Sequence, residues 1–156
     1  MNILVFLAAM CTPADICEEL RDLRPFKADR MATCERVVEV AKIWELDPVL
    51  LVSIAWHESR MNNAAVSRSG AVGALQILPK WWCGSQACDY IYNGGRAFKR
   101  WLKRARSKRK KLFWALAYYN GGNRPKTRSF RYAKRVLSTA RRLERRLKRV
   151  CGVPGC

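Results

Sequence analysis

Histidine is almost absent from this chain of 156 residues, since His57 is the single example. The dipeptide His57-Glu58 begins like the zinc-protease motif, but the second histidine that this motif needs is replaced by Met61. Two cysteine pairs have four intervening residues, where zinc knuckles usually have two: Cys83/Cys88 and Cys151/Cys156. The sequence therefore predicts no metal site, and His57 is interpreted as a packing or hydrogen-bonding residue.

Long apolar runs and phosphate-binding loops are missing as well. The apolar run 3–10 is too short to span a bilayer, although it suffices for the core of a secretory signal. Neither Gly94-Gly95 nor Gly121-Gly122 is followed by Lys-Ser or Lys-Thr, so both pairs are interpreted as helix punctuation rather than as phosphate loops. No internal repeat or low-complexity linker divides the chain, which predicts one domain over residues 12–156.

The chain does contain a series of helix signals. Helical periodicity and helix-terminating residues predict helices near 14–24, 33–46, 48–60, 78–83, 88–106, 108–120 and 127–149, with little strand. In the last of these helices, apolar residues recur on one face: Phe130, Ala133, Val136, Leu137, Ala140, Leu143 and Leu147. The sequence thus predicts a mostly α domain.

One predicted helix is almost wholly apolar and ends in a carboxylate. Asp47 and Pro48 are typical of a helix start, an N-cap followed by a first-turn proline. The residues from 49 to 56 are apolar except for Ser53, which predicts a buried helix. Burial disfavours the charged form of Glu58, so we expect its pKa to be raised toward neutrality and its carboxyl to act as a general acid. The alternative is a carboxylate that leaves the helix end and faces water.

Two further segments place polar groups beside apolar ones. Gly70 and Gly73 favour a loop or short strand that packs closely over a cleft. Gln76 follows in an apolar stretch and offers both a donor and an acceptor, which suits recognition of a sugar amide or hydroxyl. A second apolar helix is stopped by paired glycines, and its polar groups lie at the stop: Tyr119 and Asn120.

Together these three blocks resemble the catalytic domain of lytic transglycosylases of the soluble type, which has a goose-lysozyme-like fold. That family carries a Glu-Ser pair, a Gly-Leu-Met-Gln segment and an Ala-Tyr-Asn segment. The counterparts in this chain are Glu58-Ser59, Gly73-Ala74-Leu75-Gln76 and Tyr118-Tyr119-Asn120. The likeness spans roughly residues 35–125 and departs from the family pattern at Ala74-Leu75 and Tyr118. The resemblance implies a lysozyme-like single domain with a glycan cleft between helices.

The resemblance also implies the roles of individual residues. Glu58 would be the sole acid and base, and the glycan cleft would be lined by Ser59, Gln76, Tyr119 and Asn120. In the family, the glutamic acid protonates the glycosidic oxygen between N-acetylmuramic acid and N-acetylglucosamine. It then removes the proton from the muramic acid's own 6-hydroxyl, which closes a 1,6-anhydro ring without water or a cofactor.

Carboxylates are scarce after Glu58. Nine of the 12 acidic residues precede it, and only Asp89 and Glu144 follow. Asp89 is interpreted as a loop or helix-cap residue and Glu144 as an ion-pair partner on a basic helix. Most glycosidases need two carboxyl groups, so this count favours a one-carboxylate transglycosylase. Hydrolysis by a goose-type lysozyme stays the alternative, because an acidic residue of the first half could fold over the cleft.

The formal charge of +19 is unevenly distributed. Residues 96–149 hold 22 of the 31 Lys and Arg, whereas residues 1–58 hold ten of the 12 acids. This pattern predicts an anionic polymer or surface as partner, and together with the resemblance it implies peptidoglycan strands and other anionic cell-envelope polymers. A monomer is expected. No DNA-binding or aromatic RNA-binding motif accompanies the basic helix, so no specific nucleic acid is expected. Two alternatives stay open: a solvated face that only adds solubility, and a non-catalytic cationic envelope-binding protein.

Seven cysteines in a short chain favour an oxidising compartment. We expect an exported protein of the periplasm or cell wall, with residues 1–11 as signal peptide; a phage virion or phage-encoded lysin is the alternative. Cleavage after residue 11 would leave six cysteines. Their spacing favours two short local loops, Cys83–Cys88 and Cys151–Cys156, and leaves Cys17–Cys34 as the remaining pair, one of fifteen possible pairings.

Overall fold

A computed structural model describes residues 11–84 and 87–152, and these are mostly helical. Its seven α-helices are α1 (Pro13–Leu23), α2 (Met31–Ile43), α3 (Pro48–Ser59), α4 (Pro79–Trp82), α5 (Tyr90–Arg104), α6 (Lys111–Gly121) and α7 (Thr127–Val150). A single 3-10 turn, Ala28–Arg30, precedes α2. Within these residues there is no strand, only the isolated antiparallel bridges Val66–Val72 and Val72–Ile77. The predicted mostly α fold is confirmed.

Two helices begin where the sequence places their caps. The Asp47 carboxylate accepts a hydrogen bond from the backbone N–H of Val49 at 2.9 Å, and Pro48 occupies the first turn of α3. The Asp89 carboxylate caps α5 in the same way, with the N–H of Tyr92 at 2.9 Å. Each cap satisfies a backbone donor that has no partner inside its helix, which explains why both helices start where they do.

Helix α3 is the central element of the fold. Every residue from Pro48 to Trp56 is buried, and the helix packs against both α2 and α7. The one polar side chain in this stretch, Ser53, donates to the Val49 carbonyl oxygen at 2.7 Å, so its hydroxyl is not left unsatisfied in the core. The buried part of α3 ends at Trp56, so Glu58 lies in the last turn, at the edge of the core.

Two of the three disulfides join cysteines that are near each other in the sequence. Cys17–Cys34 connects α1 to α2, and Cys83–Cys88 closes the short connection between α4 and α5. Both are predicted pairs, Cys83–Cys88 from its spacing and Cys17–Cys34 as the remaining pair, and both are confirmed.

The third disulfide joins the two ends of the described chain. Cys151 pairs with Cys11, 140 residues away, so the expected Cys151–Cys156 pair is wrong; Cys156 itself lies outside the described residues. The cause is the packing of α1 against α7, where Arg146 also forms an ion pair with Glu19. The predicted signal segment lies outside the described residues except for Cys11. In the described part of the chain, no helix has the length and apolar character needed to cross a membrane.

The pair Gly94-Gly95 does not punctuate a helix, as the sequence suggested, but lies buried inside α5. A Cβ on Gly94 would come within 2.6 Å of the Leu75 Cβ, and one on Gly95 within 2.7 Å of both Val40 and Trp44. These glycines let α5 pack directly on α2 and on the segment that contains Leu75. Close packing, rather than termination, is therefore their structural role.

We predict that Gly94→Ala lowers the free energy of unfolding by about 1–3 kcal/mol, since the added methyl overpacks a contact with Leu75 that rotation alone does not relieve. The matched control is Gly84→Ala, where a Cβ meets nothing within 4 Å. Urea unfolding of both variants measures the difference. An unchanged midpoint for Gly94→Ala would show that this contact is loose.

Candidate active site

Glu58 lies in the last turn of α3 and is half-buried. Burial raises the pKa of its carboxyl to about 7, while the Tyr132 hydroxyl and the Arg128 charge act in the opposite direction. No carboxylate is among the groups that shift this pKa. The expected direction of the shift is therefore found, and a large fraction of Glu58 is protonated at neutral pH.

Tyr132 is a site residue that the sequence analysis missed. It comes from α7, is buried, and its hydroxyl has no hydrogen bond of normal length to any described residue. Burial first, and then the nearby Glu58 carboxylate, raise the pKa of this hydroxyl well above its usual value. The signal that could have found it is a tyrosine hydroxyl on the apolar face of an otherwise basic helix, where a polar tip needs a partner.

Ser59 follows Glu58 and fastens the end of α3 to the next loop. Its hydroxyl donates to the Ala74 carbonyl oxygen at 2.9 Å and accepts from the backbone N–H of Asn62 at 2.9 Å. These partners engage the hydroxyl that was predicted to face the glycan. The geometry gives Ser59 a positioning role, holding the segment that leads to Gln76.

Gln76 lies in this loop with a left-handed backbone, φ 48°. Its amide nitrogen donates to the carbonyl oxygens of Ala65 at 3.2 Å and Gly73 at 3.0 Å. The donor that was predicted to recognise a sugar therefore folds the loop onto itself. Gln76 nevertheless contributes to the wall of a cavity that the next helices complete.

Tyr119 fastens the same loop from the other side. Its hydroxyl donates to the Leu75 carbonyl oxygen at 2.6 Å, and its ring packs edge-on against Phe98. Burial, followed by the Glu58 charge, raises the pKa of Tyr119 well above the usual value. The Tyr119 hydroxyl therefore lies in the electrostatic neighbourhood of Glu58.

A cavity of about 710 Å³ collects three of the five predicted site residues. Its lining residues include Gln76, Trp81, Trp82, Arg100, Trp101, Arg104, Tyr119, Asn120 and Asn123. Trp81 is 69% exposed, so its ring is accessible from solvent. Glu58 and Ser59 do not line this cavity, but Tyr119 does, and the Glu58 charge is one of the causes that raise the pKa of Tyr119. Among the described residues, no three His, Cys, Asp or Glu side chains cluster closely enough to hold a metal ion.

His57 is held by a hydrogen bond to α7, and its ring lies edge-on to the ring of Tyr132. Its Nε2 hydrogen-bonds with the buried Thr139 hydroxyl at 2.9 Å. Burial and then the charges of nearby arginines, Arg60 first, lower the pKa of His57 to about 4, so the ring is neutral at pH 7. The interpretation of His57 as a hydrogen-bonding neighbour is confirmed.

Comparison with known proteins gives one finding. Residues 36–82 match the family model described as the Transglycosylase SLT domain. This segment contains Glu58, Ser59 and Gln76, whereas Tyr119 and Asn120 lie beyond it. No curated protein and no solved structure matches the chain. The match indicates lytic transglycosylase-type activity on peptidoglycan. The resemblance found in the sequence is confirmed, because residues 36–82 carry a Transglycosylase SLT domain match that is consistent with a lytic transglycosylase catalytic domain.

Proposed function

We propose that this chain is a peptidoglycan lytic transglycosylase in which Glu58 acts first as the acid and then as the base. The observation that carries the proposal is the half-buried Glu58 carboxyl, whose pKa is raised to about 7. A carboxyl with this pKa holds a proton at neutral pH in much of the population and still forms a carboxylate readily. Both states are needed within one catalytic cycle.

In the proposed reaction, protonated Glu58 donates its proton to the glycosidic oxygen between N-acetylmuramic acid and N-acetylglucosamine. The bond from that oxygen to the muramic acid C1 breaks, and positive charge develops on the sugar ring. The Glu58 carboxylate then takes the proton of the muramic acid 6-hydroxyl, whose oxygen bonds to C1 and closes the 1,6-anhydro ring. Glu58 ends the cycle protonated, as it began, and the absence of a carboxylate among the groups that shift its pKa agrees with this scheme.

The proposed substrate contacts follow from the cavity. Asn120 would present its amide group to the glycan and Gln76 its amide oxygen, since the Gln76 nitrogen is bonded inside the loop; exposed Trp81 would offer an aromatic face to a sugar ring. Ser59 and Tyr119 would act by holding the loop between α3 and α4, because their hydroxyls are bonded to the carbonyls of Ala74 and Leu75. Peptidoglycan strands would be the partner.

We also propose that the protein is exported to the periplasm or cell wall. The disulfides inside the domain need an oxidising compartment. The pair Cys11–Cys151 further implies that a leader would be removed before Cys11 rather than after it, because later cleavage would leave Cys151 without its partner.

The first test is Glu58→Gln, which removes both the acid and the base while keeping the shape of the side chain. We expect the rate of wall cleavage to fall by a factor of roughly 10³ or more. Mass analysis of muropeptides released by the parent should show products lighter by one water than reducing-ended ones. Reducing-ended products would favour the goose-type lysozyme. Undiminished cleavage by Glu58→Gln would contradict the role of Glu58, and wall binding or killing without cleavage would favour a non-catalytic cationic protein.

The raised pKa of Glu58 also predicts a pH-dependent stability difference. The pKa of Glu58 is about 7 in the folded protein, above the ordinary value of 4.5. Protonated Glu58 therefore makes its full contribution to the free energy of unfolding below about pH 4.5. It is lost as pH rises through 7, because the carboxyl then ionises in a poorly solvated place. We expect Glu58→Gln to gain thermal stability relative to the parent between pH 5 and about 8, by a few kcal/mol at most. A constant difference in melting temperature across this range would contradict the raised pKa.

Tyr132→Phe tests the residue that the sequence analysis missed. The variant removes a hydroxyl that stabilises the Glu58 carboxylate, so the pKa of Glu58 should rise. We expect kcat to fall about ten-fold and the alkaline limb of the pH profile of kcat/KM to move to higher pH. Tyr92→Phe is the matched control, because it removes the same hydroxyl from a tyrosine on a different helix, α5, where Tyr92 lies beside Trp44. A pH profile that does not move would show that Tyr132 has only a structural role.

A further inference from the structure

A second cavity, of about 1050 Å³, lies between the start of α6 and the middle and end of α7. We call it the basic groove and define it by its lining residues: Lys110, Lys111, Leu112, Phe113, Lys134, Leu137, Ser138, Arg141, Glu144, Arg145 and Lys148. Those on α7 recur every three or four residues, so one stripe of that helix faces the groove. The groove shares no lining residue with the cavity beside Tyr119.

The charge of the basic groove is largely uncompensated. Six of its eleven lining residues are Lys or Arg, and its one carboxylate, Glu144, is already paired with Lys148 at 3.3 Å. In the described part of the chain, the other five cations of the groove form no ion pair. Clustered cations in a concave site attract anions from solution. A bound anion then offsets the electrostatic repulsion between the cations.

Apolar side chains lie between these cations. Leu112, Phe113 and Leu137 belong to the lining, and Leu112 remains 39% exposed. A chain of hydrated phosphates gains nothing from such a surface, whereas an amphiphile buries apolar atoms there and keeps its anionic groups near the cations. The Phe113 ring is stacked on Phe130 at 5.8 Å, so one of its faces is unavailable for the base stacking that single-stranded nucleic acids use.

We propose that the basic groove docks this protein on the anionic phospholipid surface of a membrane. Headgroup phosphates would contact the lysines and arginines of the rim, and the apolar part of a lipid would contact Leu112 and Leu137. Lysine and arginine stems reach past apolar surface to place their charges at the headgroup level, which the mixed lining of this groove permits. Because the groove is separate from the cavity beside Tyr119, docking leaves that cavity free for a glycan.

The experiment measures co-sedimentation of the full chain with vesicles of phosphatidylcholine alone and of phosphatidylcholine containing about one third phosphatidylglycerol. The test variant is Lys111→Gln/Lys134→Gln/Arg145→Gln, which neutralises three exposed cations of the groove. The matched control is Lys27→Gln/Lys42→Gln/Arg68→Gln, which removes the same charge from exposed positions outside the groove. Thermal unfolding confirms that both variants are folded.

We expect the parent to bind only the anionic vesicles. The groove variant should bind them on the order of 50-fold more weakly, and the control no more than about 3-fold more weakly at physiological salt. Leu112→Ser should weaken binding about five-fold, which a purely electrostatic attraction would not show.

Three results would overturn the proposal. Equal losses in the groove and control variants would show that the net charge alone drives binding. Unchanged binding by Leu112→Ser would show that the apolar part of the groove is not used. Displacement of the parent from vesicles by a single-stranded oligonucleotide, with tighter binding to the oligonucleotide than to lipid, would assign the groove to nucleic acid.

Discussion

Helix α3 is buried from Pro48 to Trp56 and reaches the edge of the domain only in its last turn, where Glu58 lies. The burial of the preceding turns removes water from one side of the carboxyl and raises its pKa. The Asp47 cap fixes where the helix starts, and its packing against α2 and α7 fixes the direction in which it runs. The chemistry proposed for Glu58 thus depends on a core interaction that is formed well away from any substrate.

The site is held together by consecutive backbone carbonyls. Ser59 binds the Ala74 carbonyl from the end of α3, and Tyr119 binds the Leu75 carbonyl from the end of α6. Gly94 of α5 packs against the same segment, because the absence of a side chain at this position leaves room for Leu75. Three helices therefore position one short segment. This explains why Ser59, Gln76 and Tyr119 have their polar groups bonded inside the protein.

Charge is also divided along the molecule. Most of the few acidic residues form helix caps or ion pairs, as Asp89 and Glu144 show, whereas most cations of the second half stay exposed. Along the α6–α7 pair, one end contributes Tyr119 and Tyr132 near Glu58, and the other end forms the basic groove. A single pair of helices thus carries two surfaces of different chemistry.

The sequence by itself determined the features that depend on near neighbours: the helices, the caps at Asp47 and Asp89, the Cys83–Cys88 pair and the direction of the Glu58 pKa shift. These follow from periodicity, local hydrogen bonding and short loop closure, which are written in adjacent residues. Only the tertiary structure decided that Tyr132 lies beside Glu58, that Cys11 pairs with Cys151, and that the amide nitrogen of Gln76 is bonded inside its own loop. Contacts between distant segments arise from helix packing, and a stretch of sequence has no local signal for the partner that packing brings to it.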